Sequence, residues 1–156
     1  MKQPDSADKL IGQIKHHEGI RLAVYDDATG DPVVQGYTLK GHPTIGVGRL
    51  LTEGRGITEA EVNFLLMNDI NDVMSEAAQF DWYAGLNSAR KAVVISMIFN
   101  MGLPRFSKFE KTIAHIAAGD YTKAADEMLD SRWAEQVGSR ANELSKQMAT
   151  GEWQGV

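Results

Sequence analysis

The sequence has 156 residues, 43% of them hydrophobic, with a formal net charge of −5 and an isoelectric point near 5.3. That is long enough for one ordinary core, with room to pinch into two lobes. Scattered Lys and Arg on an acidic chain argue against a surface that tracks nucleic-acid phosphates, and the lack of cysteine excludes disulfides and cysteine-bearing zinc or thiol sites.

From the N-terminus, "MKQPDSADKL" has no apolar centre of signal-peptide type, and no later run approaches the ~18 apolar residues of a membrane span. The expectation is a chain made and kept soluble, without membrane insertion. Residues 6–18 read as a helix in which Leu10, Ile11 and Ile14 form one stripe. Glu18 falls on the same stripe, at the helix C-terminus. Lost hydration and the negative end of the helix dipole would both favour its protonated form, which makes it a candidate general acid. An exposed helix-end glutamate or a structural ion pair is the commoner reading of a single such residue.

Residues 20–51 are rich in glycine and carry the short alternating runs "IRLAVY" and "TIGVG" around the turn-like "DDATGDP", the pattern of a small antiparallel sheet. Ile20, Leu22 and Val24 take one face of the first strand, and Arg21, Ala23, Tyr25 and Asp27 the more polar one. Asp27 is therefore expected wet and ionised. A protonated acid and an ionised base at the two ends of one strand are the pair that glycoside hydrolysis requires. Asp26 equally fits a turn aspartate bonded to nearby backbone. In "TIGVGRLL" Thr44, Gly46 and Gly48 share a face, which suits either close ligand approach or a merely bulged strand.

From Thr58 onward the chain reads as helical. "TEAE" and "SKFE" fit capping boxes, and Gly102, Gly119, Gly138 and Gly151 sit where helices could end. "ARKAVVISMIFNMG" is apolar around most of its circumference and is the expected spine of this lobe. On the helix after Thr58, Asp69 lies within the stripe Val62, Leu66, Ile70 and Val73, so it calls for a cation. Arg49 is the candidate for a structural pair. The histidines, His16, His17, His42 and His115, form no metal-like grouping beyond the adjacent pair, and neither metal nor cofactor is expected.

Glu18 in "EGIRL", Asp27, Thr44 opening "TIGVGRLL", then "FNMG", "SRW", Arg140 and "TGEW" resemble, in that order, the tailed-phage lysozymes of glycoside hydrolase family 24, T-even type. The resemblance covers nearly the whole chain. It implies an α+β, lysozyme-like fold in a single catalytic domain, residues 1–156. A small antiparallel lobe (19–56) and a larger helical lobe (57–156 plus helix 6–18) would hold the active-site cleft between them.

The activity implied is that of a muramidase, cutting the β-1,4 bond between N-acetylmuramic acid and N-acetylglucosamine with inversion. Glu18 would be the acid, Asp27 the base that draws a proton from water, and Thr44 the holder of that water. Arg140 would support Glu18, and Leu50 and Phe99 would line the sugar cleft while also reading as core residues. The partner implied is the peptidoglycan glycan strand, met by a monomer. The setting implied is the host cytoplasm until a holin opens the membrane.

Departures from the family pattern are the long connection 28–43, Glu127 and Thr112 where an asparagine and a serine are usual, and an acidic chain where the type member is basic. A lytic transglycosylase, or a noncatalytic murein-binding or tail protein of the same fold, is the alternative. Asp27 and Thr44 speak against the first, and the intact set of three against the second.

Overall fold

The computed structural model describes residues 6–155. Its elements begin with α1 (Ser6–Glu18), β1 (Arg21–Asp26), β2 (Pro43–Gly46) and β3 (Arg49–Leu50), and continue into α2 (Glu59–Ala77). The three strands form one antiparallel sheet in the order β1-β2-β3, as the alternating runs suggested. Tyr25 stands opposite Thr44 and Asp26 opposite Pro43, while Thr44 in turn faces Leu50.

The register slips between Arg21 and Tyr25, so the two-residue alternation expected along the first strand does not hold there. Leu22, assigned to an apolar face, is 91% exposed. Helix α1 forms where expected, yet Leu10, Ile11 and Ile14 are exposed, and so is Glu18. Withdrawal from water is therefore not what distinguishes this glutamate.

The connection between β1 and β2 is an ordered structure built around Asp26. Its first turn closes where Gly30 donates to the Asp26 carbonyl (2.8 Å) and Asp26 N–H donates to the Asp31 carbonyl (2.9 Å). A second turn closes from Tyr37 N–H to the Val34 carbonyl at 3.0 Å. The returning chain then lays the amides of Lys40 (2.6 Å) and Gly41 (2.9 Å) on the Asp26 carboxylate, which Ala28 N–H (2.9 Å) and the Tyr37 hydroxyl (3.2 Å) also reach. Asp26 is fully buried and meets four donors, so its desolvation is compensated. The turn reading of this residue is the one the structure bears out.

Beyond β3 the "TEAE" capping box closes as expected. Thr58 N–H donates to the Glu61 carboxylate (2.7 Å), and Glu61 N–H donates back to the Thr58 hydroxyl (3.3 Å). Glu61 also receives Arg49 through two contacts, 2.8 Å and 3.1 Å. Arg49 is therefore paired with Glu61 and not with Asp69, which is exposed. Glu61 stands in the first turn of α2, and its fork matches the guanidinium.

The described residues separate into two compact units, dividing between Val62 and Asn63 within α2. The second unit holds α3 (Ser88–Met101), α4 (Leu103–Phe106), α5 (Glu110–Ala117), α6 (Tyr121–Leu129), α7 (Arg132–Val137) and α8 (Ser139–Thr150). Helix α3 is its spine: Val93, Val94, Met97 and Ile98 are at most 1% exposed, packed with Phe106, Ile116, Met128 and Met148. Asn87 caps it by accepting from Arg90 N–H at 2.9 Å.

Gly102, Gly119, Gly138 and Gly151 all follow helix ends with positive φ, as the punctuation implied. At Gly151 a side chain would also meet the Arg90 guanidinium, whose Nη1 stands 2.7 Å from the place of a Cβ. "SKFE" does not cap a helix. The Ser107 hydroxyl turns back to the Leu103 carbonyl (2.9 Å) at the end of α4, and α5 starts after Phe109 instead. A serine at a helix C-terminus has such a carbonyl in reach, and this local bond outcompetes the cap.

Candidate functional site

The β1-β2 junction gathers two of the residues singled out by sequence. Asp27 follows the last residue of β1, and its N–H donates to the His42 carbonyl at 3.1 Å, extending the strand pairing by one step. His42 answers with its own N–H to Asp27 Oδ1 (2.6 Å), while its ring Nδ1 lies 3.3 Å from Oδ2. The Thr44 hydroxyl donates to the same His42 carbonyl at 3.1 Å. A carboxylate and a hydroxyl are thus both bonded to one residue, His42, the first to its N–H and the second to its carbonyl.

Their environments differ in the way hydrolysis of a glycosidic bond would use. The Asp27 side chain is 36% exposed, so it is wet, as expected. Thr44 is buried at 2%, and with its proton given to His42 its oxygen is left as an acceptor. Leu50 is half-buried on β3 opposite Thr44.

Asp26, one residue before Asp27, is held in its charged form. The main-chain N–H of Lys40 first, then those of Ala28 and Gly41 with the Tyr37 hydroxyl, keep its carboxyl below the usual aspartate range against the opposing push of burial. Acid-base work that needs a proton at moderate pH does not suit it.

In the helical unit Phe99 is 46% exposed, so its sequence reading as a core residue does not hold. It follows the fully packed pair Met97 and Ile98, on the opposite side of α3. Arg140 is exposed on the first turn of α8. Both positions flagged as departures, Thr112 and Glu127, line one open hollow of about 1070 Å³ together with Asn100, Phe109 and Trp133. Trp133 Nε1 donates to Asn100 Oδ1 at 3.0 Å, and Phe109 meets the Trp133 ring edge-on at 6.3 Å. Glu127 lies 3.8 Å from Lys111.

Sequence reasoning missed His42, which bonds the Asp27 carboxylate, and Gly41, where a Cβ would run into it. The only available signal was the word "KGHP" directly before "TIGVG". Among the described residues no group of three or more His, Asp and Glu could hold a metal ion, and no helix is long and apolar enough to cross a membrane.

Comparison with known proteins adds the chain's relations. A family model described as phage lysozyme matches residues 15–150. The chain is 26% identical to "Probable T4-type lysozyme 2" of Dictyostelium discoideum, over 91% of this chain and 94% of that protein. It is 25% identical to "Probable T4-type lysozyme 1" of the same organism, over 88% of this chain and 92% of that protein. It is also 29% identical to the "Pre-baseplate central spike protein Gp5" of Enterobacteria phage T4, over 91% of this chain but only 28% of that protein. The α+β architecture is the lysozyme-like one, and with a match that spans both units the chain belongs to the phage lysozyme family, a family of peptidoglycan hydrolases.

Proposed function

We propose that the protein is a muramidase that hydrolyses the β-1,4 bond between N-acetylmuramic acid and N-acetylglucosamine, inverting the anomeric carbon. Glu18 protonates the leaving oxygen, and Asp27 takes a proton from the attacking water. The acceptor oxygen of Thr44 positions that water. The observation that supports this reading is the shared attachment of Asp27 and Thr44 to His42, the first through an exposed carboxylate and the second through a hydroxyl whose oxygen keeps its lone pairs. A transglycosylase would need neither, because the sugar's own 6-hydroxyl attacks in place of water.

Leu50 and Phe99 supply apolar surface for sugar rings, and Phe99 is exposed enough to serve. Arg140 supports the acid electrostatically, a role that rests on the family pattern. The enzyme acts as a monomer on glycan strands, and its setting is the infected bacterium, where it is held until release to the wall.

The experiment is proton NMR of oligosaccharide freshly released from peptidoglycan, read before mutarotation. The expected product carries an α-anomer at its new reducing end. A β-anomer would mean retention with Asp27 as nucleophile, and a 1,6-anhydro end would mean transglycosylation; either overturns the water-directed roles. Glu18→Gln keeps the shape of the side chain but has no proton to give. Clearing of peptidoglycan should fall by at least ~100-fold, the scale of lost general acid catalysis.

A further inference from the structure

We propose that the connection 28–43 is a positioning element for Asp27, in which His42 fixes the carboxylate and Gly41 must stay bare to admit it. The proposal rests on the reading of Asp27 as the base.

Both carboxylate oxygens are gripped by one residue. His42 N–H reaches Oδ1 at 2.6 Å and ring Nδ1, carrying its proton, reaches Oδ2 at 3.3 Å. Two donors on two oxygens fix the plane of the carboxylate as well as its position, and each oxygen keeps a lone pair for water. Asp27 and His42 side chains are 36% and 62% exposed, so their attraction is screened and adds little to stability. Orientation is what the pair supplies.

Gly41 makes the same point by its lack of a side chain. A Cβ there would run into Asp27 Oδ1 and would lie 2.7 Å from Ala28 Cβ and 2.8 Å from Ala28 N. Gly41 is not among the glycines with positive φ, so its backbone suits any residue. Space, not conformation, demands glycine.

The position of 41 and 42 is itself set from inside the loop, because the buried Asp26 carboxylate holds the amides of Lys40 and Gly41. The order of support therefore runs from Asp26 to the 40–41 backbone, and from residues 41 and 42 to Asp27. His42 is a positioning residue, since it acts on the reaction through Asp27.

The test is steady-state release of reducing ends from purified peptidoglycan by the full chain. His42→Ala should lower kcat on the order of tenfold, as expected for a misaligned base, with KM changed less than about twofold. His42→Asn should recover most of that loss, because its side-chain amide N–H can stand where Nδ1–H stood. Gly41→Ala should lower kcat at least as much as His42→Ala. Melting midpoints of both His42 variants should stay with the wild type.

Wild-type kcat in both His42→Ala and Gly41→Ala overturns the proposal. So does a His42→Ala defect confined to KM, or one that His42→Asn does not relieve. Asp27→Asn, measured alongside, separates the two levels. Full activity in Asp27→Asn sinks the base assignment itself, whereas an inactive Asp27→Asn with unimpaired His42 and Gly41 variants sinks the positioning role alone.

Discussion

Asp26 and Asp27 are neighbours with opposite fates: one is sealed in by four donors, the other stands in water against a histidine. The folded Asp26 carboxyl is held below its unfolded value, mainly by the Lys40 amide. Its contribution to stability is present above the unfolded aspartate pKa of about 3.9 and is lost as pH falls through the lower folded value. Asp26→Asn should therefore lower the melting midpoint by several degrees at pH 7, and the gap to the wild type should close as pH falls through the lowered folded value. A gap that persists unchanged into acid would show that the charged form is not what the loop holds.

At this scale the sequence was half legible. Turn chemistry identified Asp26, because that signal is local; Asp27 is wet as expected, although the alternation that led to it does not hold along β1. The grip of His42 and Gly41 on Asp27 spans a connection whose course depends on Asp26, and no periodicity encodes such a course. Glu18 was expected on a dry stripe and is exposed, since helical spacing says which residues share a face but not what covers that face.

Among the elements, the join between β3 and α2 depends on one glutamate. Glu61 accepts the Thr58 N–H, and Thr58 first and Arg49 after it hold its carboxyl below the usual range. Arg49 bonds the Gly56 carbonyl as well, at 3.2 Å, so the guanidinium spans strand end, loop and helix start. Glu61→Gln and Arg49→Met should each lower the melting midpoint by a few degrees. The double variant should lose less than the sum, as coupled groups do. Strictly additive losses in the melting curves would refute the pairing, and Asp69→Ala should change little. The capping box was readable because its spacing is fixed by helix geometry. Arg49 was assigned to another acid because the stripe argument presumed a buried Asp69, which is exposed, and the guanidinium meets the Glu61 carboxylate.

For the whole molecule, the apolar core lies in the helical unit, and no residue of the connection 28–43 belongs to it. Phe106 is fully buried there, with its ring edge-on to Phe80 at 5.7 Å. Phe106→Ala should cost about 3–5 kcal/mol, the range for emptying a packed aromatic site, with kcat preserved in the fraction that stays folded. Replacing 28–43 by a tight hairpin should do the reverse, cutting turnover sharply while denaturation of the helical unit, followed by far-UV circular dichroism, changes little. A large loss of helical stability in the shortened chain would contradict this division. The spine helix was plain in the sequence because an all-round apolar run has few other homes. Exposure of Phe99 was not, because a run of that kind does not reveal which one of its residues is left outside.

Lys40 illustrates what a sealed carboxylate does to chain cleavage. Its side chain is exposed, yet its N–H and that of Gly41 are both spent on Asp26 at 2.6 Å and 2.9 Å. A trypsin-like protease draws several residues into its groove in extended form, so cutting after Lys40 requires those amides to be released together, with Tyr37 and Ala28. The scissile bond is visible from solvent but shut to digestion, and its cleavage rate becomes a clock for how often this one loop opens. Resistance of that bond to cleavage keeps intact the backbone from which Gly41 and His42 meet Asp27.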